Sequence, residues 1–196
     1  PLKKGEIYAK ADGSKGILIK GDTAVTKVPL GINKGAVESG VGLTSGIDAV
    51  GVYVENGSTG TGTGDITIDG NRNAGVTNFG TFNQTGGTID VSGKDSIGIY
   101  AKDSSSSTTI TGSTVNAKNG AVAFYADGSS GNESTITLNN VTSNIGDGGL
   151  LFFNYTGTLP GQVGKFNISG PTTVKILSGG VAFYNRGIIG SEATFL

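Results

Sequence analysis

Apolar residues along this chain fall in short blocks, and polar runs rich in Gly, Ser, Thr and Asn separate them. Within many blocks apolar and polar positions alternate with period two, as a half-buried strand requires. Asp65-Ile66-Thr67-Ile68-Asp69 is one example. Thr88-Ile89-Asp90-Val91, Thr109-Ile110-Thr111, Ser134-Thr135-Ile136-Thr137-Leu138 and Lys165-Phe166-Asn167-Ile168-Ser169 are others. A second, shorter piece often follows a turn, as in Ser113-Thr114-Val115 and Thr173-Val174-Lys175-Ile176. No window carries apolar positions at helical spacing, and Gly or β-branched residues interrupt each one, so no helix is expected.

A third piece closes each group, with the form small, aliphatic, aromatic, small. It reads Gly51-Val52-Tyr53-Val54, Gly98-Ile99-Tyr100-Ala101, Ala123-Phe124-Tyr125-Ala126, Leu151-Phe152-Phe153-Asn154 and Ala182-Phe183-Tyr184-Asn185. Glu6-Ile7-Tyr8-Ala9 and the weaker Gly75-Val76-Thr77-Asn78 complete the set. The third position recurs at 53, 77, 100, 125, 153 and 184, in steps of 24, 23, 25, 28 and 31 residues. Tyr8 lies 45 residues before Tyr53, with Gly31-Ile32-Asn33-Lys34-Gly35 midway. A period near 25 with three short strands is one coil of a solenoid, whose inward side chains are buried only when coils stack. The expectation is an all-β, right-handed parallel β-helix of about eight coils, one domain over residues 1–196 and less regular over 11–45. At the strand spacing it would make a rod about 40 Å long.

Stacking puts Tyr8, Tyr53, Tyr100, Tyr125, Phe153 and Tyr184 in one structural ladder. Neighbours in a strand face opposite sides, so Val52, Ile99, Phe124, Phe152 and Phe183 are assigned inward and the ladder is left half-exposed. Asn78, Asn154 and Asn185 follow the aromatic position and are candidates for an asparagine ladder at a turn. The lengthening steps require residues to leave the rod as loops. The expected excursions are 56–64, 103–108, 127–134, 143–149 and 156–164.

Composition changes this picture little. Glycine contributes 36 of 196 residues and hydrophobics only 35 %, a balance that suits linkers. The regular apolar blocks argue instead for ordered strands and tight turns. With 14 basic and 15 acidic residues and no basic stripe, the footprint of a nucleic-acid binder is missing. No apolar run approaches the length of a spanning helix, and residues 1–20 lack the apolar core of a signal peptide. Arg186-Gly187-Ile188-Ile189-Gly190 resembles the opening of another repeat, so the chain reads as part of something longer.

Catalytic chemistry is hard to assemble here. Cys and His are absent, which removes thiolate ligands, disulfides and the commonest general base and metal ligand. No cofactor, metal or catalytic residue is expected, and the chain is read as a non-enzyme. Polysaccharide-cleaving β-helices need clustered carboxylates with Arg, Lys or calcium. Asp65, Asp69 and Asp90 could share a face, but solvated turn residues are the plainer reading. Arg72 and Arg186 are the only arginines. Gly60-Thr61-Gly62-Thr63-Gly64-Asp65 lacks the Lys-Ser/Thr and following helix of a phosphate loop. The six Asn-x-Ser/Thr sequons, at Asn56, Asn83, Asn132, Asn140, Asn154 and Asn167, arise readily in such a composition.

The phrases Val-Gly-Val-Tyr, Ile-Gly-Ile-Tyr-Ala, Gly-Val-Thr-Asn-Phe-Gly-Thr-Phe-Asn and Gly-Gly-Thr-Ile-Asp-Val-Ser-Gly resemble repeats of large fusobacterial autotransporter adhesins. These are type V secreted outer-membrane proteins. The resemblance runs from Tyr8 to Tyr184 and is weaker over Ala11–Ser45. It implies a cell-surface passenger stalk, exported and anchored through a C-terminal outer-membrane barrel outside this chain. It also implies a protein or glycan receptor on host cells or other bacteria. The segment itself is expected to be monomeric. A carbohydrate-binding or carbohydrate-active β-helix is the alternative reading.

Overall fold

The computed structural model describes residues 15–19, 25–28 and 50–186, except 103–104, 129–132, 158 and 160. Among these are eighteen strands and no helix. An aromatic sheet holds β1 (Lys15–Ile19), β3 (Val50–Val54), β6 (Ala74–Asn78), β9 (Ile97–Lys102), β12 (Val122–Asp127), β15 (Leu150–Tyr155) and β18 (Val181–Arg186), in that order. A threonine-rich sheet holds β2 (Val25–Val28), β4 (Thr59–Gly62), β7 (Thr81–Thr85), β10 (Ser107–Thr111), β13 (Ser134–Asn139) and β16 (Gly164–Ser169). The third sheet stacks β5 (Ile66–Ile68), β8 (Thr88–Val91), β11 (Thr114–Ala117), β14 (Thr142–Ile145) and β17 (Thr173–Ile176). Every pairing is parallel, and consecutive strands always belong to different sheets. The molecule is therefore an all-β parallel solenoid of about five turns.

Period two generates the core. In the aromatic sheet Val76, Ile99, Phe124 and Phe152 are register partners and all are buried. Ile110 and Leu138 continue one inward column, and Val91, Ala117 and Ile145 another. Each fully buried large apolar side chain contributes about 1.5–3 kcal/mol, so the interior columns hold the turns together. Two of the polar residues that point inward are bonded at the corners. Asn78 donates through Nδ2 to the Ser107 carbonyl (3.0 Å) and Thr108 Oγ1 (2.9 Å), and its Oδ1 accepts the Gly80 N–H. Gln84 Nε2 donates to the carbonyls of Gly64 and Gly86.

The glycine of the repeated phrase is required by close approach. A Cβ on Gly75 would stand 2.6 Å from the Gly98 carbonyl oxygen and from Ile66 Cγ2, and one on Gly98 would stand 2.5 Å from the Ala123 oxygen. This position and the aliphatic one after it both face the core, as the burial of both Ala123 and Phe124 shows. Left-handed backbone recurs at one turn position in successive coils, two residues before each aromatic-sheet strand: Arg72, Asp95, Gly120, Gly148 and Gly179. Asn, Asp and Gly tolerate that conformation best.

About five turns lie among the described residues, and the further coils expected near Tyr8 and Gly31–Gly35 fall outside them. Leu18 is the register partner of Tyr53, so β1 and β3 are direct neighbours. Other expectations need correction. The tract 56–64 does not leave the rod, because Thr59–Gly62 is β4 and pairs with β2 and β7. Its low strand propensity is overridden by backbone pairing on both sides. Residues 143–145 belong to β14, and 107–108 to β10, so those excursions shrink. Asn78 and Asn154 share a column, but Ala101 and Ala126 stand between them. The asparagine contact that forms is Asn154 Nδ2 to Asn185 Oδ1, at 3.0 Å.

Candidate contact surface at one corner of the rod

The coil lengthens almost entirely at the corner where the aromatic sheet passes to the threonine-rich sheet. There the connections grow from two residues (79–80) to four (103–106), six (128–133) and eight (156–163) in successive coils. The first full coil has four (55–58). At the other two corners connections stay at two or three and four or five residues. Strand geometry fixes most of the rest of the coil, so this corner absorbs nearly all of the drift in spacing seen in the sequence.

The longest connection is built around its own hydrogen bonds. The Gly157 N–H donates to the Gln162 carbonyl (2.8 Å), and the Gln162 N–H to the Leu159 carbonyl (3.1 Å). The Leu159 N–H donates to Gln162 Oε1 (2.8 Å). These bonds close a tight loop that holds Leu159 outward, 64 % exposed. At the foot of the corner Lys165 Nζ forms an ion pair with Glu133 Oε2, joining two neighbouring coils. That contact, chiefly its hydrogen bond, lowers the Glu133 pKa from the ordinary carboxylate value.

Beside the corner runs the aromatic ladder. Tyr100, Tyr125, Phe153 and Tyr184 are register partners on successive strands. Their ring centroids lie 4.8, 4.6 and 5.1 Å apart, close to the strand spacing. Tyr53 belongs to the same column, but Thr77 separates it from Tyr100 and its ring packs instead on Phe79, at 5.4 Å. Tyr8 lies outside the described residues. The rings inside the stack are half-buried and Tyr184 is exposed.

Two residues further along each strand is the column Lys102, Asp127, Tyr155 and Arg186. Tyr100 donates its hydroxyl hydrogen to Asp127 Oδ2 (2.7 Å), locking the ladder to this column. Lys102 Nζ lies 5.9 Å from the Tyr100 ring centre and the Arg186 guanidinium 5.6 Å from that of Tyr155. Tyr, Phe and Arg are side chains enriched at interaction surfaces. Sequence spacing located the ladder and two of the loops. The Lys102–Arg186 column was missed, because only register brings those four types together.

The candidate acidic face is less suggestive. Asp90 stands in register between Thr67 and Asn116, while Asp65 Oδ1 accepts the Thr88 N–H at 2.7 Å and Asp69 is exposed. Asp65 is thus a backbone cap between coils. Arg72 sits in the turn between β5 and β6, at a different corner from Arg186. Among the described residues no three His, Cys, Asp or Glu side chains converge as a metal site would require, and no helix is long and apolar enough to cross a membrane. No family model matches the chain, and no curated protein matches it either.

Proposed function

We propose that the chain is a non-catalytic, right-handed β-helical segment of a surface-exposed autotransporter adhesin, contacting host or bacterial cells through the loop-bearing corner. The repeat phrases support the family, and the parallel solenoid is the form such a passenger takes. Right-handed winding follows the strong preference of parallel crossovers. The passenger would be held at the outer membrane by a barrel outside this chain.

The observation that carries the contact role is the growth of one corner, from two to eight residues, beside a half-buried aromatic strip that ends in the exposed Tyr184 and Arg186. A stalk alone gains nothing from lengthening the same connection coil after coil. A glycan receptor is the second reading, favoured by Tyr155 and Arg186 side by side, since sugars pack on aromatic faces and bond to guanidinium groups.

The test is cell binding by the intact chain and by a variant whose 156–163 connection is cut to the two-residue form of 79–80. Circular dichroism would verify that both fold alike. Loss of binding in the shortened variant supports the reading, and a glycan array then separates the two receptor classes. Equal binding by both proteins, or none by either, would sink it.

A further inference from the structure

Asparagine followed by glycine is among the least durable steps in any chain, and this one has two, Asn56-Gly57 and Asn119-Gly120. The glycine nitrogen can attack the asparagine side-chain carbonyl, because no Cβ on glycine obstructs the approach. Both pairs are exposed, and each forms the centre of a tight turn. Their surroundings differ. The turn 118–121 is closed by the Ala121 N–H to the Lys118 carbonyl (3.1 Å), with φ 58° at Asn119 and 77° at Gly120, a type I′ form. It is tied to both neighbouring coils: Asn119 Nδ2 donates to the Ser92 carbonyl (3.2 Å), and the Asn119 N–H to the Asp147 carbonyl (2.8 Å). The turn 55–58 is closed by the Ser58 N–H to the Glu55 carbonyl (3.1 Å), with left-handed backbone only at Gly57 (φ 75°). Among the described residues nothing bonds the Asn56 side chain. A Cβ on Gly57 would meet nothing within 4 Å, so the tip of this turn stands in open space. That exposure is not an end effect, since β3 lies between β1 and β6, and β4 between β2 and β7.

We propose that Asn56 is a site of spontaneous deamidation on the folded chain, and that the Asn119 turn is held against the same reaction. The Gly57 nitrogen loses its proton and bonds to Asn56 Cγ; the Cγ–Nδ2 bond breaks, and ammonia leaves with a proton. Water then opens the five-membered imide. Opening at Cγ gives aspartate, and opening at the main-chain carbonyl gives isoaspartate, whose backbone runs through the former side chain. Only water is consumed, and either product carries one new negative charge. Aligning the nitrogen with Cγ requires the peptide between the two residues to rotate. At Asn56 that rotation breaks the one bond that closes the turn. At Asn119 it must also release the bonds to two neighbouring coils, so it waits on a larger opening. The 55–58 connection lies at the same corner as the lengthening loops, so the charge of that corner changes as the molecule ages.

Peptide mapping by mass spectrometry of the intact folded chain, held for weeks in mildly alkaline buffer, tests this. Deamidation at Asn56 should outpace that at Asn119 by about tenfold or more, since three bonds rather than one must open at the second site. In urea strong enough to unfold the chain, the two sites should react at similar rates. Asn56→Gln, at an exposed turn tip, should leave the melting curve unchanged and slow the appearance of the acidic species that ion exchange separates. Equal rates in the folded chain, a faster Asn119, the same preference in urea, or an acidic species formed as quickly by Asn56→Gln would each overturn the proposal.

Discussion

Two coils of this molecule carry nearly the same inward pattern and meet different fates. In the coil of β12, β13 and β14, Phe124, Ile136, Leu138 and Ile145 are buried. In the coil of β15, β16 and β17, Phe152 is buried under β18, but Ile176 on β17 is 44 % exposed. Its register partner is Ile145, at 0 %. The side chain and its direction are equivalent; the difference is that no described strand lies beyond β17 in its sheet. Period two decides which way a residue points, and a neighbouring coil decides whether it is buried. Stability in such a rod is therefore a sum over interfaces between coils.

The sharpest way to break the comparison is to truncate the same column in two coils. Phe152 packs on Phe124 at 5.9 Å and on Phe166 at 4.3 Å, with neighbours on both sides. Phe152→Ala should cost about 3–5 kcal/mol in urea unfolding. Phe183→Ala, one coil on and only partly covered, should cost less than half as much. Equal losses would show that the end coil is packed like the interior.

The small position tests the same contrast. Gly98→Ala drives a Cβ against a backbone carbonyl and should cost about 1–3 kcal/mol by overpacking. Its counterpart in the end coil is already Ala182, which is not fully buried. Ala182→Val should be close to neutral in the same assay.

A smaller effect concerns the left-handed turn position, which holds Asp95 (φ 57°) inside the rod and Gly179 (φ 74°) in the last coil. Asp95→Gly should stabilise by roughly 0.5 kcal/mol, because glycine escapes the steric penalty of that conformation. Gly179→Asp should do the reverse, and thermal melts of the two variants would show opposite signs.

The smallest effect is electrostatic. The Lys165 ammonium holds the Glu133 pKa below its unfolded value. The pair therefore stabilises above the unfolded carboxylate range, and loses that contribution as pH falls through the lowered folded value. Both side chains are about half exposed, so the contribution is well under 1 kcal/mol. Glu133→Gln should lower stability slightly at neutral pH, and the difference should vanish in acid.

Much of this fold was legible because its repeat is set by backbone pairing. The positions counted as 53, 77, 100, 125, 153 and 184 are Cα partners in the sheet. Inward Ile99 and Phe124 followed from alternation alone. What failed were places where pairing overrode local preference. Thr59-Gly60-Thr61-Gly62 looks like a turn and is a strand, since two neighbouring strands supply its hydrogen bonds. At the candidate surface, the loops at 127–134 and 156–164 were visible as excess length. The corner they share was not, because their common position appears only once each residue is assigned to a sheet.

The central claim is that each coil is held by the one above it, and hydrogen exchange measures that directly. At low micromolar concentration, amides of β10 to β14 should be the most protected. Protection should fall by orders of magnitude across β16, β17 and β18. Uniform protection through the last coil of a monomeric sample would contradict the account.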